Sequence, residues 1–353
     1  MAWPFQSIQP KKRNQVVAID LGSRTTKAVE VQRRGTGFEL LGFLLKDAPL
    51  PDRTPAGTRL TEHLKQVVQD LGTRQRQIVL VVGVGEAFVR RAEMPQMPIN
   101  DMRQMLRFNS KNYLQQDLPD HTFDCYLLPP RPGAAAELAK PGQKLKVLVG
   151  GARRQAISEL ETAAKGAGLG LEMVVPGVVG PANAFELAHP ELFGKEVVAL
   201  VDIGYKNTTI SVLHNGELAL SRVVGIGGEK LTGGLAEALG LNGAEAEKLK
   251  LAMPEEVQVP MQALLMPLGH ELRASMEFFE KEQDKTVTQV FISGGAARSE
   301  FIVRNLKEEL MLETKTWNPL TPMQLSLPPA KMAELEQAGP QLTVAVGAAL
   351  AAF

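Results

Sequence analysis

The sequence has only one cysteine, Cys125, among its 353 residues, and it has no excess of either charge. A single cysteine excludes an internal disulfide and a cysteine-ligated metal cluster, so we interpret Cys125 as a small buried apolar residue. Because 39 lysines and arginines balance 39 aspartates and glutamates, no overall basic field attracts nucleic acid or anionic lipid. These absences favour a reducing, intracellular setting and a partner other than nucleic acid.

Long hydrophobic runs are also absent. The longest apolar stretches, near 78–85 and 342–353, are shorter than the roughly 20 residues that a membrane-spanning helix needs. The N-terminal sequence contains no apolar segment of the kind that precedes a signal-peptide cleavage site. We predict a disordered N-terminal arm there, in preference to a segment that touches a membrane surface weakly. The length and an ordinary composition, 44% hydrophobic and 22% charged, predict a globular protein of two domains.

A strand–turn–strand segment occurs twice, at 16–31 and at 198–213, with a constant offset of 182 residues. In each copy an apolar run ends in Asp-x-Gly, and β-prone sequence resumes after the turn. Four positions correspond, namely Asp20 with Asp202, Gly22 with Gly204, Arg24 with Lys206, and Thr26 with Thr208. A duplicated hairpin of this kind predicts two like-built lobes that close on one phosphorylated ligand.

The residues of the two turns suit phosphate. Glycine lets the backbone approach a polyphosphate closely, and successive turn amides form an anion-binding nest. Lys27 can neutralise phosphate charge, while Asp20 and Asp202 can hold Mg²⁺ largely through water. The predicted polar donors are Ser23, Thr25 and Thr26 on one side, and Asn207, Thr208 and Thr209 on the other. The alternative is an ordinary hairpin turn, for which one Asp-x-Gly copy alone would be typical.

Two further elements favour a nucleoside. Gly294 and Gly295 stand between a predicted strand and a predicted helix, where a base or ribose can lie against the backbone. Glu247 and Lys250 share one helix face in AEAEKLK and could hold ribose and flank the base. The alternatives are a plain turn and a solvent-exposed ion pair. The sequence has no GxxxxGK[ST] motif, which argues against a Walker-type NTPase.

Strands alternate with helices along the chain, which predicts α/β layering in both lobes. The clearest signals are a buried strand at 77–85 and a helix around 99–116. A longer helix is predicted at 261–283, where Leu265, Leu268, Leu272, Met276 and Phe279 form one apolar face. A Pro/Gly-rich joint is predicted at 176–187, a loop at 131–143 and a terminal helix at 343–353.

The order of these elements resembles the actin/Hsp70/sugar-kinase superfamily. Within it the chain is most similar to the PilM family of actin-like type IV pilus assembly proteins, whose close cousin is the division protein FtsA. The resemblance covers nearly the whole chain. It is carried by the segments IDLGSRTTKAVEV (19–31), VRRAEMPQMP (89–98), KVLVGGARRQAISELETAAKGAGL (146–169), VDIGYKNTTISVL (201–213), GIGGEKLT (225–232), AEAEKLK (244–250) and ISGGAARSEFIVRNLKEEL (292–310).

The resemblance implies an actin-like ATPase fold, with two lobes that each hold a mixed β-sheet flanked by helices. It implies ATP or ADP with Mg²⁺ between the lobes, and Asp20 and Asp202 on the metal. Arg24 is included as a residue of the first turn, although a solvated surface charge is the alternative for it. The implied nucleotide-binding residues are Asp20, Gly22, Ser23, Arg24, Thr25, Lys27, Asp202, Gly204, Asn207, Thr208, Glu247, Lys250, Gly294 and Gly295.

The resemblance also divides the chain into subdomains named 1A, 1C, 2A and 2B. The implied segments are lobe 1 (1A) at 1–85, an inserted 1C-like subdomain at 86–168, a return to 1A with the inter-lobe joint at 169–196, lobe 2 (2A) at 197–228, a 2B-like helical subdomain at 229–286, and a return to 2A with the Gly-Gly turn and closing helix at 287–353.

The implied function is that of a scaffold at the cytoplasmic face of the inner membrane. Such a scaffold binds the N-terminal tail of a PilN-type membrane protein between 1A and 1C, and links it to pilus motor ATPases. Its membrane association would be peripheral, through partners. A small-molecule kinase of the same superfamily and an FtsA-like division protein are the alternatives.

One departure from the family pattern bears on hydrolysis. Relatives commonly carry an acidic residue in the joint before the second hairpin, where this sequence has Val175 and Gly177. The nearest carboxylates are Glu172 and Glu186. Because an activator of the attacking water is then missing, we expect nucleotide binding with weak or no hydrolysis.

Overall fold

The structure is a computed structural model that describes residues 13–49, 56–128 and 144–353. The predicted N-terminal arm and the predicted loop at 131–143 therefore lie outside the described residues. The strands are β1 Gln15–Leu21, β2 Thr25–Arg34, β3 Gly37–Asp47, β4 Gln77–Val82, β5 Ala87–Pro95, β6 His121–Leu127, β7 Lys144–Arg153, β8 Gly170–Pro176, β9 Val197–Ile203, β10 Thr208–His214, β11 Glu217–Val224, β12 Gln289–Gly294, β13 Glu313–Thr316 and β14 Gln324–Leu325.

Helices alternate with these strands, as predicted. They are α1 Ala56–Leu71, α2 Ile99–Leu114, α3 Arg154–Gly166, α4 Gly180–Ala188, α5 Pro190–Lys195, α6 Gly228–Leu239, α7 Gly243–Ala252, α8 Glu255–Gln283, α9 Glu300–Leu310, α10 Pro329–Ala338 and α11 Thr343–Leu350. Helix α8 begins six residues before its predicted start at 261, and its predicted apolar face is buried. None of the helices in the described ranges combines the length and apolar character that crossing a membrane requires.

The first sheet has the strand order β14-β3-β2-β1-β4-β8. Strands β1, β2 and β3 form an antiparallel meander, whereas β1, β4 and β8 run parallel. The continuous apolar runs of β1 and β4 are buried on both faces, as is typical of central parallel strands. Strand β1 ends at the first Asp-x-Gly turn, so that turn lies at the carboxyl edge of the sheet.

The second sheet repeats this arrangement in the order β11-β10-β9-β12-β13. Strands β9, β10 and β11 are antiparallel, and β9, β12 and β13 are parallel. The register is repeated as well, because Asp20 lies opposite Lys27 and Asp202 lies opposite Thr209. The prediction of two like-built lobes is therefore confirmed down to the pairing of individual residues.

A third sheet, β5-β7-β6, forms a small separate layer with α2 on one face. Its core includes Met94, Met102, Leu106 and Cys125. Burial raises the pKa of the Cys125 thiol to about 12, and the neighbouring Asp124 carboxylate adds to the rise. A thiol with so high a pKa stays protonated at neutral pH, which agrees with the interpretation of Cys125 as a packing residue.

Two stretches depart from the subdomain boundaries that the resemblance implies. Helix α3, placed in 86–168, packs through Leu160, Ala163 and Ala164 with α1 in the core of the first lobe. Strand β14, placed in the second lobe with 287–353, pairs with β3 of the first sheet. The remaining boundaries stay a prediction. Both differences have one cause: an element joins whichever core covers its apolar face, and that core is set by tertiary packing.

The predicted joint at 176–187 is a helical element. A short 3₁₀ turn over Gly177–Val179 leads into α4; the turn is buried, and α4 is buried as far as Phe185. Proline at the start of a helix causes no conflict, because the first N–H groups have no intrahelical partner. Helix α4 crosses α11 at Gly180 and Gly347, where a Cβ on Gly180 would come within 2.8 Å of the Val344 Cα. Glycine is needed at this crossing because the two backbones touch.

Candidate functional site

A cleft of about 570 Å³ lies between the two lobes, where both hairpin turns, the Gly-Gly turn and helix α7 meet. Every predicted site residue except Thr208 lines it. Those residues are Asp20, Gly22, Ser23, Arg24, Thr25, Lys27, Asp202, Gly204, Asn207, Glu247, Lys250, Gly294 and Gly295. Residues from four distant parts of the sequence are thus brought to one surface.

The first turn places a carboxylate and an ammonium in contact. The Lys27 Nζ lies 3.0 Å from the Asp20 Oδ2, and the two side chains face each other across the β1–β2 pair. Gly22 closes the turn tightly, since a Cβ there would lie 2.5 Å from the Thr25 carbonyl oxygen and 2.6 Å from the Lys27 Nζ. A side chain at this position would therefore displace the turn or the lysine.

Lys27 is attracted to the carboxylates of both turns, Asp20 and Asp202. Burial opposes its charge, but Asp20, through its charge and hydrogen bond, and the charge of Asp202 together raise the pKa of Lys27. For Asp202 the balance is the reverse. Its burial and the nearby Asp20 charge raise the pKa of Asp202, although a hydrogen bond from the Ser293 Oγ at 2.8 Å and the Lys27 charge oppose the rise. Asp20 and Asp202 therefore share the one ammonium of Lys27.

In the second turn, glycines stand where two backbone segments lie closest to each other. The Gly204 N–H donates to the Asn207 carbonyl oxygen at 3.0 Å, and the Gly228 N–H donates to the Gly204 carbonyl oxygen at 2.9 Å. A Cβ on Gly227 would lie 2.5 Å from the Tyr205 carbonyl oxygen. The turn is thus held against the start of α6, and its backbone is exposed to the cleft.

The prediction that the Thr208 and Thr26 side chains serve as cleft donors is wrong. Both are fully buried: the Thr208 hydroxyl donates to the Ile226 carbonyl oxygen at 2.6 Å, and the Thr26 hydroxyl shares a hydrogen bond with the His63 Nε2 at 2.8 Å. These equivalent threonines fasten each hairpin to its own lobe. The following residue, Thr209, lines the cleft.

Helix α7 supplies a buried polar cluster at the end of the cleft where the sequence predicts a nucleoside. The Lys250 ammonium donates to the Glu247 carboxylate at 2.7 Å and to the Thr232 hydroxyl at 2.8 Å. Burial lowers the pKa of Lys250, against the opposing effect of Glu247. Burial alone would raise the pKa of Glu247, but its hydrogen bonds and the cationic neighbours lower it. The pair is structural in part, since Lys250 also reaches the Gly228 carbonyl oxygen at 3.3 Å.

Arg24 joins the two lobes across the cleft. Its Nη1 lies 3.0 Å from the Glu247 Oε1, and its guanidinium lies 5.2 Å from the centre of the Tyr205 ring. Arg24 belongs to the first lobe, whereas Glu247 and Tyr205 belong to the second. We call this set of contacts the Arg24 clasp. The alternative of a solvated charge fits Lys206, the equivalent residue, which is exposed.

The Gly-Gly turn requires glycine at its first position. Gly294 has a φ of 90°, and a Cβ there would overlap the Ile203 carbonyl. The backbone of β12 therefore lies directly against the end of β9. Gly295 has open space around its Cα, with the Gln341 side chain 4.0 Å from where a Cβ would stand. A planar group can approach the backbone here.

Sequence analysis missed several residues that line the cleft. They are Asp47 at the end of β3, the Gly83–Gly85 turn, Tyr205, Gly228, Arg298, Ser299 and Gln341, among others. The GIGGEKLT segment was a signal for Gly228, but Asp47 has none, because only the β2–β3 register brings it beside Thr25. Neither Glu172 nor Glu186 is among the lining residues. Gly177 lines the cleft but has no side chain to offer.

The geometry defines what the cleft can bind. Glycine turns from both lobes expose backbone to it, and Lys27 supplies a cation between two carboxylates. Among the described residues no cluster of three or more His, Cys, Asp or Glu forms a complete metal cage. Two carboxylates instead suit Mg²⁺, which keeps several waters and takes oxygens from a phosphorylated ligand. Two like-built sheets with such a cleft between them define a two-lobed protein with an actin-like ATPase fold.

Comparison with known proteins identifies the family. The family model for the type IV pilus assembly protein PilM matches residues 18–353, so the chain belongs to that family. The structure of a PilM-PilN type IV pilus biogenesis complex superposes with a TM-score of 0.82 at 22% identity, covering 97% of this chain and 99% of that one. Both the resemblance and the predicted fold class are confirmed.

More distant relatives share the fold. MreB5 of Spiroplasma citri bound to AMPPNP matches with a TM-score of 0.54 at 11% identity, over 96% of this chain and 95% of that one. The cell division protein FtsA of Bacillus subtilis (strain 168) is 45% identical over 53 residues. That segment is 15% of this chain and only 12% of FtsA, so it extends the kinship to FtsA without covering its length.

We expect Asp202→Asn to stabilise the protein in the absence of ligand. Because the folded-state pKa of Asp202 is raised, its ionised form costs folding free energy above that pKa, and the cost vanishes below the unfolded-state pKa. Removing the charge should raise the free energy of unfolding at pH 7 by on the order of 1 kcal/mol. The gain should shrink as the pH falls to about 4.

Thermal and denaturant unfolding at both pH values measure this effect. Asp47→Asn is the matched control, because it removes an exposed carboxylate from the same cleft. If Asp202→Asn is less stable than the wild type at pH 7, the prediction is wrong. The attraction between Lys27 and the Asp202 carboxylate would then outweigh the cost of burying that charge.

Proposed function

We propose that the chain is an ATP-binding scaffold of type IV pilus assembly or of a related envelope machine. One observation carries the nucleotide part: two hairpins of identical register bring Asp20, Lys27 and Asp202 to one cleft between two like-built sheets. Membership of the PilM family supports the assembly role. The nucleotide would set the angle between the lobes, and thereby the population of states that bind a partner.

Each part of the cleft matches one part of a nucleoside triphosphate. The turns at Gly22 and Gly204 would cradle the phosphates, with Lys27 neutralising their charge. Asp20 and Asp202 would hold Mg²⁺ through water, and the metal would offset their excess negative charge. Glu247 and Lys250 would hold the ribose, and the Gly294–Gly295 backbone would lie against the base. The solved MreB5 structures bound to AMPPNP and to ADP support this assignment by analogy of fold.

Hydrolysis would be weak or absent. The joint that leads to the second hairpin contributes Gly177 to the cleft but no carboxylate. Glu172 lies in an ion pair with Arg13 away from the cleft. Burial raises the pKa of the Tyr126 hydroxyl, and the nearby carboxylates of Glu186 and Glu217 add to the rise. With no base from the joint to orient water, the cleft would hold nucleotide rather than consume it.

The partner would be the N-terminal tail of a PilN-type inner-membrane protein. The solved PilM-PilN complex supports a partner of this type, and the small sheet β5-β7-β6 would be the 1C-like subdomain that the resemblance implies. The protein would then work at the cytoplasmic face of the inner membrane and associate with it through that partner. Pilus motor ATPases are a further proposed contact.

We expect ATP with Mg²⁺ to raise the thermal unfolding temperature of the wild type. A ligand at 100 times its Kd stabilises by about 2.7 kcal/mol. Gly22→Ala should weaken ATP binding by roughly tenfold or more, because its Cβ would meet the Thr25 carbonyl and the Lys27 Nζ. Gly57→Ala is the control, since no atom lies near its Cβ. Isothermal titration measures the affinities, and wild-type protein that shows no response to ATP would sink the nucleotide proposal.

We expect a synthetic PilN-type tail peptide to bind, and its affinity to change when ATP and Mg²⁺ are added. Asp202→Asn should still bind the peptide but should lose the effect of ATP, because it would hold Mg²⁺-nucleotide poorly. Fluorescence anisotropy of the labelled peptide measures all four conditions. Failure of the peptide to bind would contradict the partner, whereas binding that ignores ATP in the wild type would contradict nucleotide control alone.

We expect Arg24→Ala to speed nucleotide association by a few-fold and up to about tenfold. The ion pair to Glu247 and the contact with the Tyr205 ring are partly exposed, and each contributes about 1 kcal/mol at most. Nucleotide must break the Arg24 clasp to reach Glu247. Stopped-flow fluorescence with a labelled ATP measures the rate, and Lys206→Ala is the control because it removes the equivalent charge outside the clasp. Slower or weaker binding by Arg24→Ala would mean that Arg24 contacts the ligand instead.

A further inference from the structure

Helix α8 has a second apolar face besides the one in the core. The outer face carries what we call the α8 stripe, whose members are spaced three or four residues apart except where the exposed His270 interrupts the row. They are Val259, Ala263, Met266, Ala274 and Phe278. Val259 is 76%, Met266 48% and Phe278 52% exposed. The stripe is about 28 Å long at 1.5 Å per residue, and a row of large exposed apolar side chains marks an interaction surface.

Two prolines add polar acceptors to the same side of α8. Pro260 and Pro267 lie inside the helix and have no N–H to donate. The carbonyl groups four residues earlier, of Glu256 and Ala263, therefore lack the usual intrahelical hydrogen bond. Residues four apart share a helix face, so these carbonyl oxygens lie along the stripe. The surface offers apolar contact together with acceptors for a cationic donor.

The charges beside the stripe are mainly negative. Glu255, Glu256 and Glu277 are exposed, and none of them has an ion-pair partner within the part of the chain that the structure describes. Arg273 is engaged with Glu309 of the neighbouring helix α9. A partner that covers the stripe should therefore present an apolar side chain with positive charges next to it.

Helix α2 of the small sheet presents such a surface. Phe108 is 76% exposed and stands where the helix breaks at Asn109. The Arg107 guanidinium lies 6.0 Å from the Phe108 ring, and Lys111 is exposed one turn further on. Both cations lack an ion-pair partner in the described ranges. The helix is about 24 Å long, close to the length of the stripe.

We propose that α2 of one copy of this chain packs on the α8 stripe of a second copy. Phe108 enters the apolar row near Met266, and Arg107 and Lys111 face the glutamates and the free carbonyls of α8. The contact joins two different surfaces of the chain, so one molecule can offer α2 and α8 at once. Burial of Phe108 and Met266 provides the affinity, while the opposite charges fix the pairing.

Sedimentation velocity of the full chain over a wide range of concentration tests this contact. The wild type should associate as concentration rises. Phe108→Asp and Met266→Glu should each weaken association by at least about tenfold, because each places a charge in the apolar contact. Met332→Glu is the matched control: it changes a methionine of similar exposure on helix α10 and should associate as the wild type does. Circular dichroism should show wild-type thermal unfolding for all of them, since the changed side chains are exposed.

Mixing the two weakened variants gives the decisive result. Phe108→Asp keeps an intact α8 stripe and Met266→Glu keeps an intact α2, so an equimolar mixture should form a complex of two chains that neither variant forms alone. A wild type that stays monomeric would overturn the proposal, and a partner of the stripe would then have to be a different protein. Loss of association in Met266→Glu but not in Phe108→Asp would also overturn it, because the stripe would then pair with itself.

Discussion

Two carboxylates that share one ammonium dominate the centre of this molecule. Asp20 and Asp202 end the central strands of two sheets, and Lys27 is attracted to both. Burial raises the pKa of Asp202, and the nearby charge of Asp20 adds to the rise. This arrangement favours a ligand that brings a cation to the two carboxylates, as a metal-bound polyphosphate does. The duplicated sheets hold the carboxylates in matching positions, and helices α4 and α11 pack in the core that the two sheets share.

The two hairpins are alike in backbone and different in chemistry. The position that holds Lys27 in the first holds Thr209 in the second, so only the first hairpin places an ammonium opposite its turn carboxylate. Arg24 likewise reaches across to Glu247, while its counterpart Lys206 does not. The repeated backbone therefore shapes the cleft, and the different side chains at these two positions make its two sides chemically different. The first lobe brings Lys27 and Arg24 to the cleft, and the second brings the Glu247–Lys250 pair of α7.

The fold and most of the cleft were predictable because their signals are local. Asp-x-Gly after an apolar run, and strand–Gly-Gly–helix, each mark a turn wherever they stand. What failed depends on distant residues. Thr208 turns inward because the Ile226 carbonyl accepts its hydroxyl, and α3 belongs to the first lobe because α1 covers its apolar face. The Pro/Gly-rich joint became a helix because Gly180 and Gly347 let α4 and α11 touch, which no local pattern predicts.

The only thiol of the chain lies in the core of the small sheet, protonated and shielded from solvent. The native surface of the described chain is therefore inert toward maleimides and similar labels at neutral pH, without any cysteine having to be removed. Single cysteines placed on either side of the cleft would be the only labelled positions, and a pair of spectroscopic probes there would read the separation of the lobes directly. Distances across the cleft can therefore be measured without first preparing a cysteine-free variant.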